Sequence, residues 1–345
     1  MGAVLTVVGP SGGTGTVHDG GGHPERPARI DAVMDGVADV GRELGSALEF
    51  VGPAPADAAA LRRVHSAAYL RELEEFCREG GGSLDPDTFA RPDSWEAALL
   101  SAGAGLQAVE VLRRRGDGVA FVATRPPGHH ALATRSMGFC LLNNVAVSAA
   151  ALVAEGERVL IVDWDVHHGN GTQALFWDDP SVLYVSTHQS PFYPGTGGAD
   201  EVGGSEAPGL TVNVPLPAGA TGDVVRRALD EVAAPVIDAF APTWVLISAG
   251  FDAHRADPLA DLALSSGDFA DLARTVAGFA PRPGRVVVFL EGGYDLGALR
   301  SSVAATLGAL VHAPEPSDRE HTTAGGPGAE LVDRAAAARQ RVLSP

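Results

Sequence analysis

Short apolar runs alternate with stretches of helical periodicity along most of this chain. A continuous apolar run is typical of a strand buried on both faces of a parallel sheet. Strands are predicted at residues 4–8, 119–123, 159–162, 182–187, 244–248 and 286–290. Helices are predicted at residues 28–44, 57–78 with a turn at His65, 94–114 with Ser94 as N-cap, 143–154, 223–240, 267–280 and 295–311. The alternation predicts a single-domain three-layer α/β/α fold with a mainly parallel central sheet.

The end of the chain has a different composition. Residues 313–328 are rich in proline, glycine and acidic residues, which predicts a loose linker. An amphipathic stretch at 329–342 predicts a helix that docks on the main unit or on a partner. We therefore expect one domain over residues 1–312, followed by a linker and a docked C-terminal helix over 313–345.

Polar residues follow the strand at 159–162 at alternate positions. Asp163, Asp165 and His167 share one face if the backbone stays extended. Open α/β sheets bind their ligands at the carboxyl ends of the strands. Carboxylate and imidazole groups suit a divalent ion such as zinc, although iron(II) competes for such ligands. The sequence therefore predicts a metal site at this strand end.

Other strands end in polar residues as well. His129 and His130 follow the strand at 119–123, Asp252 follows 244–248, and Tyr294 follows 286–290. All carboxyl ends of a parallel sheet lie at one edge, so we expect these groups to line one pocket with Asp165 and His167. Three protein ligands and an open position define a catalytic zinc site. Each residue alone also fits an ordinary role as turn, helix cap or core aromatic residue.

Composition narrows the possible partners. The chain has 345 residues, 45% of them hydrophobic, a formal net charge of −18 and a pI near 4.9. Such an acidic surface opposes direct nucleic-acid binding and favours cationic ligands. The absence of lysine and the abundance of alanine and glycine indicate a GC-rich bacterial genome. Two cysteines, no secretory leader and no apolar run long enough to span a bilayer predict a cytoplasmic protein.

Six motifs lie around these polar residues. They are RPPGHHA at 125–131, MGFCLLNN at 137–144, DWDVHHGNG at 163–171, YPGTG at 193–197, GFDAH at 250–254 and LEGGY at 290–294. In this order they resemble the motifs of the zinc-dependent histone deacetylase and acetylpolyamine amidohydrolase family, within the arginase/deacetylase superfamily. The resemblance extends from about residue 23 to 311, and Asn170 and Trp164 make the chain more similar to class II and related bacterial members.

The resemblance implies a zinc-dependent amidohydrolase that removes acyl groups from N-ε-acyl-lysine by means of a metal-activated water. It assigns zinc to Asp165, His167 and Asp252. Tyr294 is implied as the donor to the oxyanion that forms on the acyl group.

The resemblance also implies roles for the paired histidines. His130 is expected to act as general base and then acid, with His129 as an electrostatic aid. Asn170 is expected to orient His130, and Asp163 to orient His129. A neutral asparagine stabilises an imidazolium less than a carboxylate does, which bears on the basicity of His130.

Substrate and structural-ion sites follow from the same resemblance. The substrate-binding residues are expected to be Gly138, Phe139, Tyr193, Leu259 and, at the rim, Asp87. A structural potassium ion is expected at Asp163, Asp165, His167, Ser186 and Thr187.

Several alternatives stay open on the same residues. Leu259 stands where polyamine-selective relatives carry glutamate, which favours acyl-lysine over an acetylated polyamine. A non-catalytic protein that binds acylated ligands is less compatible with the retained His129, His130 and Tyr294. Gly169 and His254 oppose a dimanganese ureohydrolase, which needs aspartates there, and no serine-nucleophile motif is present. Neither the acyl chain nor the oligomeric state is predicted, and a homo-oligomer is compatible with the sequence.

Overall fold

The computed structural model describes residues 4–10, 17–313 and 320–343. Its centre is one eight-stranded sheet, accompanied by a two-stranded hairpin. The sheet strands are β1 Leu5–Val8, β2 Leu48–Val51, β5 Val119–Val122, β6 Val159–Asp163, β7 Val182–Gln189, β8 Thr211–Leu216, β9 Trp244–Ala249 and β10 Val286–Leu290. The hairpin consists of β3 Gly82–Ser83 and β4 Phe89–Ala90. The sheet order is β2-β1-β5-β10-β9-β6-β7-β8, and every pairing between these strands is parallel.

Helices cover both faces of this sheet. They are α1 Ala28–Leu44, α2 Ala58–Leu61, α3 Ala67–Arg78, α4 Ser94–Arg115, α5 Asn144–Val153, α6 Asn170–Leu175, α7 Gly222–Ala228, α8 Ala234–Phe240, α9 Ser266–Ala277, α10 Leu296–Leu310 and α11 Ala329–Leu343. Helix α10 packs between α1 and α9, whereas α4 packs with α5. The α/β fold with a parallel sheet and helical layers is therefore as predicted.

The core is divided in two by the alternation of side chains along the strands. In β6, Leu160 and Val162 belong to the core that includes α1, α9 and α10. Val159 and Ile161 belong to the core that includes α4 and α5. Both sets are buried, which explains why this strand reads as a continuous apolar run rather than as an alternating one.

The sequence prediction missed the two edge strands of the sheet. Strand β2 lies beside β1, and its side chains are half-buried or exposed, so its apolar signal is weak. Strand β8 lies beside β7 and contains Asn213 and Pro215. Proline is tolerated at a sheet edge because its missing N–H costs no ladder bond on the open side. The sequence prediction also missed the short strand β3 at residues 82–83.

Two helix predictions are corrected. Ser94 is the first residue of α4 rather than its N-cap, and its Oγ accepts from the Arg91 N–H at 2.7 Å. The predicted helix at 223–240 is interrupted by a π-helical turn, Leu229–Ala233. Pro235 stands at the start of the helix that follows. Proline has no N–H to continue the α-helical ladder, which accounts for the interruption.

The C-terminal segment is held more firmly than a loose linker would be. Glu320 accepts hydrogen bonds from His254 Nε2 at 2.9 Å and from the Ser266 N–H at 3.0 Å. Thr323 Oγ1 donates to Asp268 at 2.7 Å. Residues 320–328 of the predicted linker form no helix or strand but are tied to the domain by these hydrogen bonds, and residues 314–319 of that prediction lie outside the described part of the chain. Helix α11 packs on β8 and α7, with Val332 and Ala335 in the core.

Cys77 and Cys140 are buried free thiols. Among the helices that the structure describes, none is both long and apolar enough to cross a membrane.

Candidate active site

Four neighbouring strands in the middle of the sheet carry the polar residues that the sequence singled out. Strands β5, β10, β9 and β6 are adjacent in that order. The loops after them bring His129, His130, Tyr294 and His167 into one pocket of about 200 Å³. The parallel pairing thus assembles the site at the carboxyl edge, where the sequence predicted it.

His167 lines this pocket, whereas Asp165 and Asp252, which were also expected to line it, are fully buried beside His167. The ligand atoms of all three residues lie within 4.8 Å of one another. His167 Nδ1 is 3.1 Å from Asp165 Oδ1 and 3.2 Å from Asp252 Oδ2. Asp252 Oδ2 is buried and has no hydrogen bond of acceptable geometry in the described residues. A buried carboxylate oxygen without a hydrogen bond fits a metal ligand, and two carboxylates with one imidazole form a suitable set for zinc.

The backbone around these carboxylates orients them. Gly292 N–H donates to Asp165 Oδ2 at 2.8 Å, and Val166 N–H donates to Asp252 Oδ1 at 2.9 Å. A Cβ atom at Gly250 would lie 2.0 Å from Asp165 Oδ2, and one at Gly292 would lie 2.0 Å from Asp252 Oδ2. Glycine is therefore required at both positions for the carboxylates to reach one point.

Charge also favours a cation here. Burial and the neighbouring Asp165 raise the pKa of Asp252 to about 7. Burial lowers the pKa of His167, but a hydrogen bond to Asp165 and the nearby negative charges of Asp252 and Asp165 outweigh it and raise this pKa to about 10. Two carboxylates away from water stabilise a positive charge between them much more than they would in solvent.

The paired histidines each have the orienting partner that the sequence indicated. His129 Nδ1 lies 3.0 Å from Asp163 Oδ2, and His130 Nδ1 lies 2.8 Å from Asn170 Oδ1. The two rings are 4.1 Å apart between centroids, and both line the pocket. Because Nδ1 is engaged from behind, Nε2 is the nitrogen left for chemistry in the pocket.

The two imidazoles differ in their preferred charge. Burial and the neighbouring His129 and His167 lower the pKa of His130 well below 6.5. Burial also acts on His129, but Asp165 and Asp163 outweigh it and raise its pKa well above 6.5. A neutral His130 can accept a proton, while a protonated His129 stabilises negative charge.

Tyr294 lies on the opposite wall of the pocket. Its N–H donates to Asp257 Oδ2 at 2.6 Å, the Arg29 guanidinium lies 4.9 Å above its ring, and Phe139 meets it edge-on. Burial raises the pKa of the Tyr294 hydroxyl well above 10. The hydroxyl therefore keeps its proton and is available as a hydrogen-bond donor.

The predicted substrate-binding residues Asp87, Gly138, Phe139, Tyr193 and Leu259 all line this pocket. Gly138 has φ +55°, and a Cβ there would lie 2.4 Å from the His130 ring. Phe139 also has a left-handed backbone, with φ +67°, and its N–H donates to Thr88 Oγ1 at 3.1 Å. A strained backbone held at a pocket wall is a common feature of ligand sites.

The residues predicted for potassium lie at the ends of β6 and β7. Asp163 and Ser186 are paired across these strands, and both are buried. Ser186 Oγ lies 2.9 Å from His188 Nδ1, and Asp163 Oδ1 accepts from the Asp165 N–H at 3.2 Å. The potassium site, with Thr187 and the backbone at Asp165 and His167, stays a prediction.

Several residues of the site had no role in the sequence analysis. Phe192 stacks on His167 with centroids 5.2 Å apart. Glu291 Oε2 accepts from the N–H groups of Gly128 and His129 at 2.7 and 3.2 Å, and Oε1 accepts from Ser248 Oγ at 3.0 Å. The sequence signal that could have identified Glu291 is its position as an acidic residue directly after an apolar strand. Phe192 has no comparable signal in the sequence.

The chain is similar to known deacetylases over most of its length. A family model described as a histone deacetylase domain matches residues 23–310. A "Probable deacetylase" of Archaeoglobus fulgidus is 40% identical, covering 80% of this chain and 78% of that protein. A "Histone deacetylase-like amidohydrolase" of Pseudomonas aeruginosa is 36% identical, covering 85% and 81%. The crystal structure of the HDA15 HD domain superposes with a TM-score of 0.87 at 34% identity, covering 98% of this chain and 96% of that one.

Proposed function

We propose, from the premise that this chain belongs to the histone deacetylase family, that it is a zinc-dependent amidohydrolase acting on N-ε-acyl-lysine of proteins or peptides. Membership of the family makes the chain a hydrolase of amide bonds. The zinc ion, the acyl-lysine substrate, the assignment to a class II-like bacterial group and a cytoplasmic location are parts of the proposal.

One observation carries the proposal: a metal-ligand trio, a neutral histidine and a protonated tyrosine meet at one narrow pocket. His167, His130 and Tyr294 line the pocket, and carboxylate oxygens of Asp165 and Asp252 lie 3.1 and 3.2 Å from Nδ1 of His167. The pKa of His130 is lowered and that of Tyr294 is raised. A protein that only binds an acylated ligand would not need acid–base groups with pKa values shifted in this way. The arrangement therefore favours hydrolysis over simple recognition of an acylated ligand.

Zinc, when bound by Asp165, His167 and Asp252, supplies a Lewis acid that polarises the acyl carbonyl and lowers the pKa of water. His130 accepts a proton from the attacking water and then passes it to the departing amine, so that it ends the cycle neutral. Protonated His129, held by Asp163, stabilises the negative charge that develops beside it.

Tyr294 donates its hydroxyl proton in a hydrogen bond to the carbonyl oxygen as this oxygen becomes negative. The Gly138 carbonyl accepts the amide N–H of the substrate, and Phe139 and Tyr193 enclose the methylene groups of the lysine. These roles use groups that all border the pocket.

Leu259 supports acyl-lysine as the substrate. It lines the pocket, and its N–H donates to Asp257 Oδ1 at 3.0 Å, which orients it. An apolar side chain offers a second substrate amine no charge to bind. An acetylated polyamine is the alternative, because Asp87 also borders the pocket and carries a carboxylate.

The test is kcat/KM of zinc-loaded protein for an acetyl-lysine peptide and for N-acetylputrescine, with Tyr294→Phe as control. We expect a preference for the peptide and a loss of about 100- to 1000-fold in kcat for the variant. A preference for N-acetylputrescine would overturn the acyl-lysine assignment and leave the hydrolase intact. Zinc binding without turnover of either compound would favour the binding-protein alternative.

A further inference from the structure

A second and larger concavity lies beside the catalytic pocket. Its volume is about 570 Å³, compared with about 200 Å³ for the pocket. Asp87 and Tyr193 line both, so the two concavities adjoin at these residues. We call the larger concavity the flank groove. Its other lining residues include Glu72, Leu73, Phe76, Leu84, Asp85 and Met137.

The flank groove combines an apolar floor with a rim that carries three carboxylates, of Glu72, Asp85 and Asp87, and one cation, Arg135, so the rim is acidic on balance. Leu73 is buried, and Phe76, Leu84 and Met137 are half-buried, so apolar surface is presented to any occupant. Glu72 is exposed on α3 at the edge of this floor. Such a surface suits a side chain with an apolar stem and a cationic head, since the stem packs while the head meets carboxylates.

The loop that carries the other carboxylates is held in one conformation. Asp85 Oδ1 accepts from the N–H groups of Asp87 and Thr88 at 3.0 and 2.6 Å. The Leu84 N–H donates to the Thr88 carbonyl at 2.8 Å, and His23 Nε2 lies 3.1 Å from the Asp87 carbonyl. The acidic rim is thus present before a ligand arrives, which reduces the ordering cost of binding.

We infer that the flank groove binds the residues next to the acyl-lysine of a peptide substrate and selects a lysine or arginine there. The inference rests on the proposed function. Three observations support it. The groove adjoins the pocket, and its rim carries carboxylates. The groove is also larger than the pocket, which holds only the alkyl chain of the acyl-lysine, so it has room for neighbouring residues. The overall charge of −18 favours the approach of a basic peptide.

The first experiment compares two acetyl-lysine peptides that are identical except for arginine or glutamate next to the acetyl-lysine. A third substrate, N-ε-acetyl-lysine with both termini blocked, has no flanking residues. Each kcat/KM is expressed relative to this third substrate, for wild type, Glu72→Arg and the control Glu74→Arg. Glu74 is exposed on the same helix but does not line the groove.

We expect wild type to prefer the arginine peptide over the glutamate peptide. In Glu72→Arg this preference should fall by about three- to tenfold, the range for a charge at the rim of an interface. Glu74→Arg should keep the wild-type preference. Equal kcat/KM for the two peptides in wild type, or an equal fall in both variants, would overturn the inference.

A binding measurement separates this inference from the proposed function. Fluorescence anisotropy with labelled versions of both peptides measures Kd in the Tyr294→Phe background, where turnover is slow. Tighter binding of the arginine peptide that depends on Glu72 supports the groove even if no peptide is hydrolysed. The opposite outcome is that N-acetylspermidine competes with the peptide, that its binding depends on Glu72, and that the arginine and glutamate peptides bind equally. This result would assign the groove to polyamines and overturn the inference.

Discussion

The active-site edge and the C-terminal segment differ in how well their structures can be predicted from their sequences. At the edge, Asp165, His167 and Asp252 follow apolar strands, and their ligand atoms lie within 4.8 Å of one another. The segment from 320 to 328 is rich in glycine and polar residues, yet it is bound to the domain by side-chain and backbone hydrogen bonds. The composition of a segment therefore indicates whether it forms ordered structure alone. Its contacts with the rest of the fold decide whether it is held in one conformation.

The two regions meet at one loop. This loop begins with Asp252, a predicted zinc ligand, and continues to Asp257, which accepts a hydrogen bond from the Tyr294 N–H. Glu320 holds His254 in the same loop and also pairs with Arg255 at 2.5 Å. We propose that residues 320–343 belong to the catalytic domain, although the family match ends at 310. The predicted division at residue 312 would then not separate two folding units.

The largest effect is expected from Asp252→Ala. Removal of one ligand should lower zinc affinity by more than about 100-fold, the upper value for loss of an outer-shell partner, and abolish hydrolysis. Zinc titration and kcat/KM check both results. Retained zinc affinity would remove Asp252 from the site.

Val332→Ala tests the docked helix without touching the active site. Val332 is fully buried on α11, and its truncation should lower the free energy of unfolding by about 2 kcal/mol. Glu330→Ala, an exposed change on the same helix, is the control and should have little effect. Denaturant unfolding measures the difference. Equal stability of both variants would mean that α11 does not contribute to the core.

Glu320→Gln tests the contact between the segment and the metal-site loop. The neutral side chain weakens the hydrogen bonds from Arg255 and His254, which should lower the free energy of unfolding by about 1–2 kcal/mol. Zinc affinity should fall by about tenfold or less, since Glu320 acts on Asp252 only through the loop. Glu206→Gln, at an exposed position, is the control. Unchanged zinc affinity with lowered stability would confine Glu320 to a structural role.

The smallest effect concerns pH. Burial raises the pKa of Glu320, but hydrogen bonds from Ser266, His254 and Arg255 outweigh it and lower the pKa from 4.5 to about 2. A depressed folded-state pKa stabilises the protein above the unfolded value and loses this effect as the pH falls. The stability difference between wild type and Glu320→Gln should therefore be constant above about pH 5. It should narrow between pH 4.5 and about 2, as measured by denaturation at several pH values. A gap that stays unchanged in this range would contradict the ionised contact.

The sequence by itself predicted the central strands and the polar residues that follow their carboxyl ends. The apolar side chains of Leu160 and Val162 are sufficient to predict that both residues are buried. Asp165 and Asp252 lie close together because each follows the carboxyl end of a strand in the same parallel sheet. The motif resemblance predicted the partners of the paired histidines, and the distances to Asp163 and Asn170 agree with it.

Only the tertiary structure decided the features that depend on a distant partner. Strand β8, with Pro215, forms because β7 offers an edge, and Glu320 is ordered because His254 and Arg255 meet it across more than sixty positions of sequence. The flank groove likewise exists because α3 and the loop at Asp85 pack around Tyr193. Local sequence patterns indicate which residues are buried and in which direction a strand runs. They do not indicate which distant residue will form a hydrogen bond with a given polar group.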